Sequence, residues 1–143
     1  MGNVAGPGDM IVAAPSIFVS TNDMESIRNS LDSLLILQNA SGALPFSGTP
    51  FWEEVGDLAY SFTYHLHSLL NIALYYEYTN DLDYLQYVWK NFTLGLEFSI
   101  SHIDQTGLMN VTTSADWLRA VSGHVSNMPA SLQYVQSILM QGR

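Results

Sequence analysis

A helix that is apolar on every face has to be surrounded by protein, and residues Leu66 to Tyr78 describe one. The wider segment, Leu58 to Thr79, reads as a long helix with that run at its centre. A chain holding such a segment needs further helices to cover it. The composition agrees: apolar residues make up 48% of the chain and charged ones only 12%, against about 25% in an ordinary soluble domain. At 143 residues there is room for one domain.

The covering helices can be found by their spacing. Met10 to Val19 reads as a short helix kinked near Pro15. Asn22 with Glu25 makes a capping-box-like start. From there Met24, Ile27, Leu31, Leu34 and Leu35 recur at helical intervals toward Gln38. Residues Asn39 to Phe51 carry Gly42, Pro45, Gly48 and Pro50 and predict a long loop. Asn80-Asp81 predicts a tight turn and a cap, followed by a helix to about His102. Asp104 to Gly107 reads as a turn and Leu108 to Thr112 as extended. Thr113 and Asp116 have capping-box spacing and predict a brief helix through Trp117 to Val121, then a loop over Gly123 to Asn127. A last helix is expected from Met128 to Met140. The fold class is therefore all-α: one domain over residues 1–143, with about five helices arranged as αα-hairpins.

Charge narrows the partners. The net charge is −9, with only four Lys and Arg. Nucleic acid and anionic membrane surfaces both need a basic footprint and are excluded as partners. Neutral sugars remain easy to accommodate. The apolar stretch Ile11 to Val19 is too short to span a bilayer. There are no cysteines, hence no disulfides and no thiol nucleophile. Three sequons, at Asn39, Asn91 and Asn110, are candidate glycosylation sites and point to an extracellular protein. His65 and His67 are two residues apart on a helix, about 200° around it, so they cannot share a metal ion; no metal site is expected.

Several tracts, in order, carry a resemblance. They are Gly8-Asp9-Met10, Pro15 to Thr21, Leu37-Gln38-Asn39 with Gly42 to Pro45, and Thr63-Tyr64-His65-Leu66. Tyr78 to Asp81 with Asp83-Tyr84-Leu85, then Thr106 to Thr112, and Ala115-Asp116-Trp117-Leu118 complete the set. Together they resemble the catalytic domain of fungal α-L-rhamnosidase-like glycoside hydrolases, over about Gly8 to Gln141. The resemblance implies part of an (α/α)6 toroid and inverting, cofactor-free hydrolysis of terminal L-rhamnosyl glycosides. Such chemistry needs two carboxyl groups, one protonated and one activating water. By the resemblance, the general acid falls before Met1 and the general base beyond Arg143, so the catalytic residues are not assigned within this chain. Gly6 stands where that family usually has Trp, and Phe62 where it often has Asp.

The resemblance implies sugar contacts for Asp9, Tyr64, His65, Asp116 and Trp117. Four of them have a plainer alternative. Asp9 in its Gly-rich turn is equally an ordinary loop or capping aspartate. Asp116 and Trp117 pair a hydroxyl acceptor with a stacking plane, or are a cap and a core tryptophan. His65 is equally a hydrogen-bonded core histidine. Trp52, Glu53, Glu54 and Asp57 either complement a helix dipole or line a sugar cleft. The competing functions are a glycosidase part, a non-catalytic carbohydrate-binding helical remnant, and a truncated product. In the last case exposed apolar helix faces favour self-association.

Overall fold

The computed structural model describes residues 6–48 and 61–111, together with the strand backbone at 115–116, 119–120 and 123–125. The described residues are mostly helical, in four α-helices: α1 Pro7–Ser20, α2 Met24–Leu35, α3 Phe62–Thr79 and α4 Leu82–Ile100. Four short strands follow: β1 Met109–Val111, β2 Ala115–Asp116, β3 Arg119–Ala120 and β4 Gly123–Val125. The helix expected over 128–140 lies outside the described residues.

α3 is the helix that had to be surrounded, and it is. Between Phe62 and Thr79 only Glu77 and Tyr78 are exposed. It packs against α1, α2 and α4, and β2 also lies against it. Leu69, Ile72 and Ala73 on α3 join Ala14, Leu31, Leu34, Val88 and Phe92 in a single core.

The tripeptide Thr-Asn-Asp occurs at both helix corners, as Thr21-Asn22-Asp23 and Thr79-Asn80-Asp81, and is used identically. The asparagines take left-handed backbone, φ 54° at Asn22 and 51° at Asn80, a conformation Asn tolerates better than most residues. Each aspartate then caps the next helix: Asp23 accepts from the Ser26 N–H at 3.0 Å and Asp81 from the Tyr84 N–H at 2.9 Å. Each threonine hydroxyl donates back to a carbonyl of the helix it ends, at Ile17 (3.1 Å) and Tyr75 (2.7 Å). The cap of α2 is therefore Asp23, not Asn22, because Asn22 is consumed in reversing the chain.

The two hairpins lie side by side in the same sense. Gly8 near the start of α1 meets Tyr64 near the start of α3, and Phe18 near its end stacks on Tyr78, ring centroids 4.6 Å apart. α1 and α3 are thus parallel. α2 and α4 are parallel too: Tyr84 donates to Asp32 at 2.9 Å, and Asn91 donates to Gln38 just beyond α2 at 2.9 Å.

Two expectations are corrected. α1 begins at Pro7, a residue suited to the first turn of a helix, and runs unbroken through Pro15. Asp9 therefore sits in a helical turn rather than a loop. A brief helix is expected through 117–121, but Arg119–Ala120 inside that range is strand, as is Ala115–Asp116 before it: Ala115 pairs with Ala120 and Asp116 with Arg119. Outside them Met109 pairs with Val125, Asn110 with His124 and Val111 with Gly123, so Gly123–Val125 is strand rather than loop. Val111 and Val125 suit a strand better than a helix. The turn at 104–107 and the extended segment after it form as expected.

Candidate functional site

The parallel packing of α1 and α3 brings two of the sequence-predicted residues to one end of the bundle. Asp9 is exposed in the first turn of α1. Its carboxylate folds back over Gly6, where a Cβ would lie 3.1 Å from Oδ2. An acidic residue at this position complements the positive end of the helix dipole. Tyr64, in the first turn of α3, lays its ring across Gly8. Phe46, from the long loop, stacks on that ring with centroids 4.4 Å apart and planes 24° apart.

Asn71 ties the two helices together here. Its side-chain Nδ2 donates to the Pro7 carbonyl at 2.9 Å, 64 residues away in the chain. Its Oδ1 is buried and has no hydrogen-bond partner among the described residues. Such an atom forfeits about 1–3 kcal/mol, a cost that tends to persist only at special places in a fold.

His65 is placed differently from its neighbour. It is wholly buried, with 0% of its surface exposed. Nδ1 accepts the Leu44 N–H at 3.0 Å, and Nε2 faces the Gly95 carbonyl at 3.1 Å and Ser99 Oγ at 2.9 Å. Its ring also packs edge-on against Phe98. Both nitrogens are spent inside the protein, so His65 presents nothing to a ligand in this arrangement; it is a core histidine. Burial pushes its imidazole down to about 4, with the nearby His102 acting the same way.

The long loop is built onto α4 by close backbone approach. Gly42 has φ 98°, and a Cβ on it would lie 2.4 Å from the Leu94 carbonyl oxygen. Gln38 clamps the same region, its Nε2 donating to the Gly42 and Asn91 carbonyls, each at 2.9 Å. Asn39 Oδ1 accepts from the N–H groups of Ser41 and Ala43 at 3.1 and 2.9 Å.

The backbone of Asp116 lies in β2, the strand against α3. Trp117, Trp52, Glu53, Glu54 and Asp57 lie outside the described residues. Of the sequon asparagines, Asn39 is exposed, while Asn110 is half-buried on β1. Asn91 is half-buried within α4, its Nδ2 held by Gln38 Oε1 and the Leu35 carbonyl. Among the described residues no three His, Cys, Asp or Glu side chains group to hold a metal, and no helix is long and apolar enough to cross a membrane.

Tyr64 and Phe46 thus form an aromatic pair against Gly8, and the next residue of α1, Asp9, carries an exposed carboxylate; an aromatic face and a carboxylate acceptor each suit a neutral ligand with one apolar face and several hydroxyls. Phe46 and Asn71 escaped the sequence reading. Asn71 carried a usable signal, a lone amide inside an otherwise apolar helix; Phe46 is placed only by how its loop folds. Compared with models of protein families and with curated protein sequences, the chain matches none.

Proposed function

We propose that this chain forms the sugar-holding part of an inverting glycoside hydrolase acting on terminal L-rhamnosyl glycosides. In this reading its hairpins are neighbouring staves of an (α/α)6 toroid and its setting is extracellular. The observation that carries the reading is the meeting of Gly8, the neighbour of Asp9, with Tyr64 at one end of parallel α1 and α3. Those residues belong to separate tracts of the resemblance, and they converge beside Phe46. Repeated hairpins with the same Thr-Asn-Asp corner also suit a structure built from staves. So does the outer flank of α1, where Val12 and Val19 are 77% and 80% exposed and a neighbouring stave would cover them. Hydrolysis with inversion uses two carboxyl groups and water, and so requires no cofactor.

In this reading Asp9 accepts hydroxyl hydrogens and the Tyr64 and Phe46 pair faces the apolar side of the ring. Asp116 and Trp117, carried by β2 and the residues after it, complete the sugar contacts. Titration calorimetry of the chain with L-rhamnose tests this. Binding heat that disappears in both Tyr64→Ala and Trp117→Ala supports it, and no heat at millimolar sugar sinks it. Hydrolysis of an aryl rhamnoside separates a catalytic chain from a sugar-binding module that keeps the same contacts.

A further inference from the structure

Three features meet at His65, and none of them involves a ligand. The loop residue Leu44 is fully buried and donates its N–H to Nδ1 at 3.0 Å. Nδ1 must therefore carry a lone pair, which leaves the proton on Nε2. Ser99 Oγ donates its own hydrogen to the Gly95 carbonyl at 2.9 Å, and so can accept from Nε2. The tautomer is fixed by its surroundings. Two residues beyond Leu44, Phe46 stacks on Tyr64, the neighbour of His65 on α3.

We infer that His65 is a pH-sensitive positioning residue: its neutral imidazole fastens Leu44 to α3 and so keeps Phe46 stacked on Tyr64, and a proton on Nδ1 unfastens them. A protonated Nδ1 would face the Leu44 N–H donor to donor, and that hydrogen bond cannot survive. Burial of the ring sets the event at about pH 4. The described groups around it are these. Residues 39–48 contain no titratable side chain. From α4 the ring faces Gly95, Ser99 and Phe98, with His102 just beyond the helix end. The electrostatic influence of His102 acts against protonation of His65. On α3 itself the nearest titratable groups are Tyr64 and His67.

The release is local. Upstream of Leu44 the loop keeps its own anchors, which do not involve His65: the Asn39 turn, the Gln38 clamp and the approach of Gly42 to Leu94. Only Leu44 to Phe46 are expected to shift on α3, since Ser47 is buried beyond them. The role of Phe46 as one wall of a sugar site rests on the function proposed above; the fastening itself does not.

An NMR pH titration of the whole chain, without sugar, tests it. The His65 ring, the Leu44 amide and the Phe46 ring should move with one midpoint near pH 4, with Phe46 losing the ring-current shift from Tyr64. The Gly42 amide and the helical circular dichroism should hold through that range. Phe46 staying in place while His65 titrates overturns the proposal, as does movement of Phe46 only together with loss of helix. His65→Asn supplies an acceptor near the Nδ1 position that does not titrate. Its Phe46 signals should stay constant to pH 3, and an unchanged acid transition there also overturns the proposal. Since no sugar is present, failure of the calorimetric test above leaves this result standing, and failure here leaves sugar binding at neutral pH standing.

Discussion

Gly8 on α1 and the ring of Tyr64 on α3 share one volume: a Cβ on Gly8 would lie 2.6 Å from Tyr64 Cζ and 2.8 Å from Cε1. Tyr64 has little freedom to withdraw, because Phe46 stacks on it. In an open helix Gly→Ala is worth about 1 kcal/mol of stabilisation. Here overpacking should reverse the sign, and Gly8→Ala is expected to destabilise by roughly 1–3 kcal/mol in urea. In a Tyr64→Ala background the same change should become neutral or stabilising. A penalty that persists without the Tyr64 ring would show that the contact is not its source.

The two Thr-Asn-Asp corners have equal geometry but unequal surroundings. Asp23 caps α2 at an exposed corner. Asp81 caps α4, accepts from the Tyr75 hydroxyl at 3.2 Å, and stands 3.9 Å from Arg28. Tyr75 is buried, so removing Asp81 strands a hydroxyl as well as uncapping a helix. Asp81→Ala is expected to cost about 2 kcal/mol and Asp23→Ala clearly less. Equal losses in chemical denaturation would mean that the Tyr75 bond contributes nothing. The half-exposed ion pair with Arg28 is expected to add little.

What could be read from the sequence divides along the same line as local and distant causes. α3 was legible because an all-round apolar run can only be buried. The Asn80-Asp81 corner was legible because both residues act within their own turn. The α2 cap was misplaced by one residue because Asn22 and Asp23 can each cap, and the choice depends on which of them reverses the chain. Residues 113–121 misled for a related reason. Thr113 and Asp116 satisfy a local capping pattern, while pairing with Arg119 and Ala120 is settled by the whole hairpin. Within the candidate site, the meeting of Gly8 with Tyr64 follows from helix packing that no single tract encodes. Nor does anything near His65 in sequence announce Gly95 and Ser99, which lie 30 and 34 residues further on.

Gly42 is the position where side-chain absence is needed twice over. Its φ of 98° is disfavoured for any residue with a Cβ, and that Cβ would lie 2.4 Å from the Leu94 oxygen. The obstacle is α4 backbone, which cannot rotate away as a side chain could. Gly42→Ala is therefore expected to destabilise by about 2–4 kcal/mol and to loosen the Gln38 clamp. Hydrogen exchange should then accelerate at Ala43, whose N–H is bonded to Asn39. Unchanged protection there would contradict the close approach.

The buried imidazole also sets a pH dependence of global stability. The His65 pKa is lowered from 6.5 to about 4 by folding. Between those values the unfolded chain binds the proton more readily, so stability falls as pH drops from 6.5 toward 4 and is fully present above 6.5. The whole window amounts to roughly 3 kcal/mol. Urea midpoints measured from pH 7 to 4.5 should decline accordingly, and His65→Asn should flatten that part of the profile. A native slope no steeper than that of His65→Asn would remove His65 as its cause.

The sequons should differ in use if the chain is made in a secretory host. A glycan is attached through the asparagine Nδ2. At Asn91 that atom donates to Gln38 Oε1 at 2.9 Å and to the Leu35 carbonyl at 3.5 Å, inside the α2–α4 contact. Attachment there would break both of the bonds by which Asn91 ties α4 to the end of α2. At Asn39 it is Oδ1 that holds the turn, accepting from Ser41 and Ala43, and the residue is exposed. Peptide mass spectrometry of folded, secreted protein should therefore find Asn39 modified and Asn91 bare. Asn91→Ala should destabilise by about 1–3 kcal/mol by leaving Gln38 Oε1 without its donor. Full occupancy at Asn91 in a stably helical protein would show that α2 and α4 do not meet in this way.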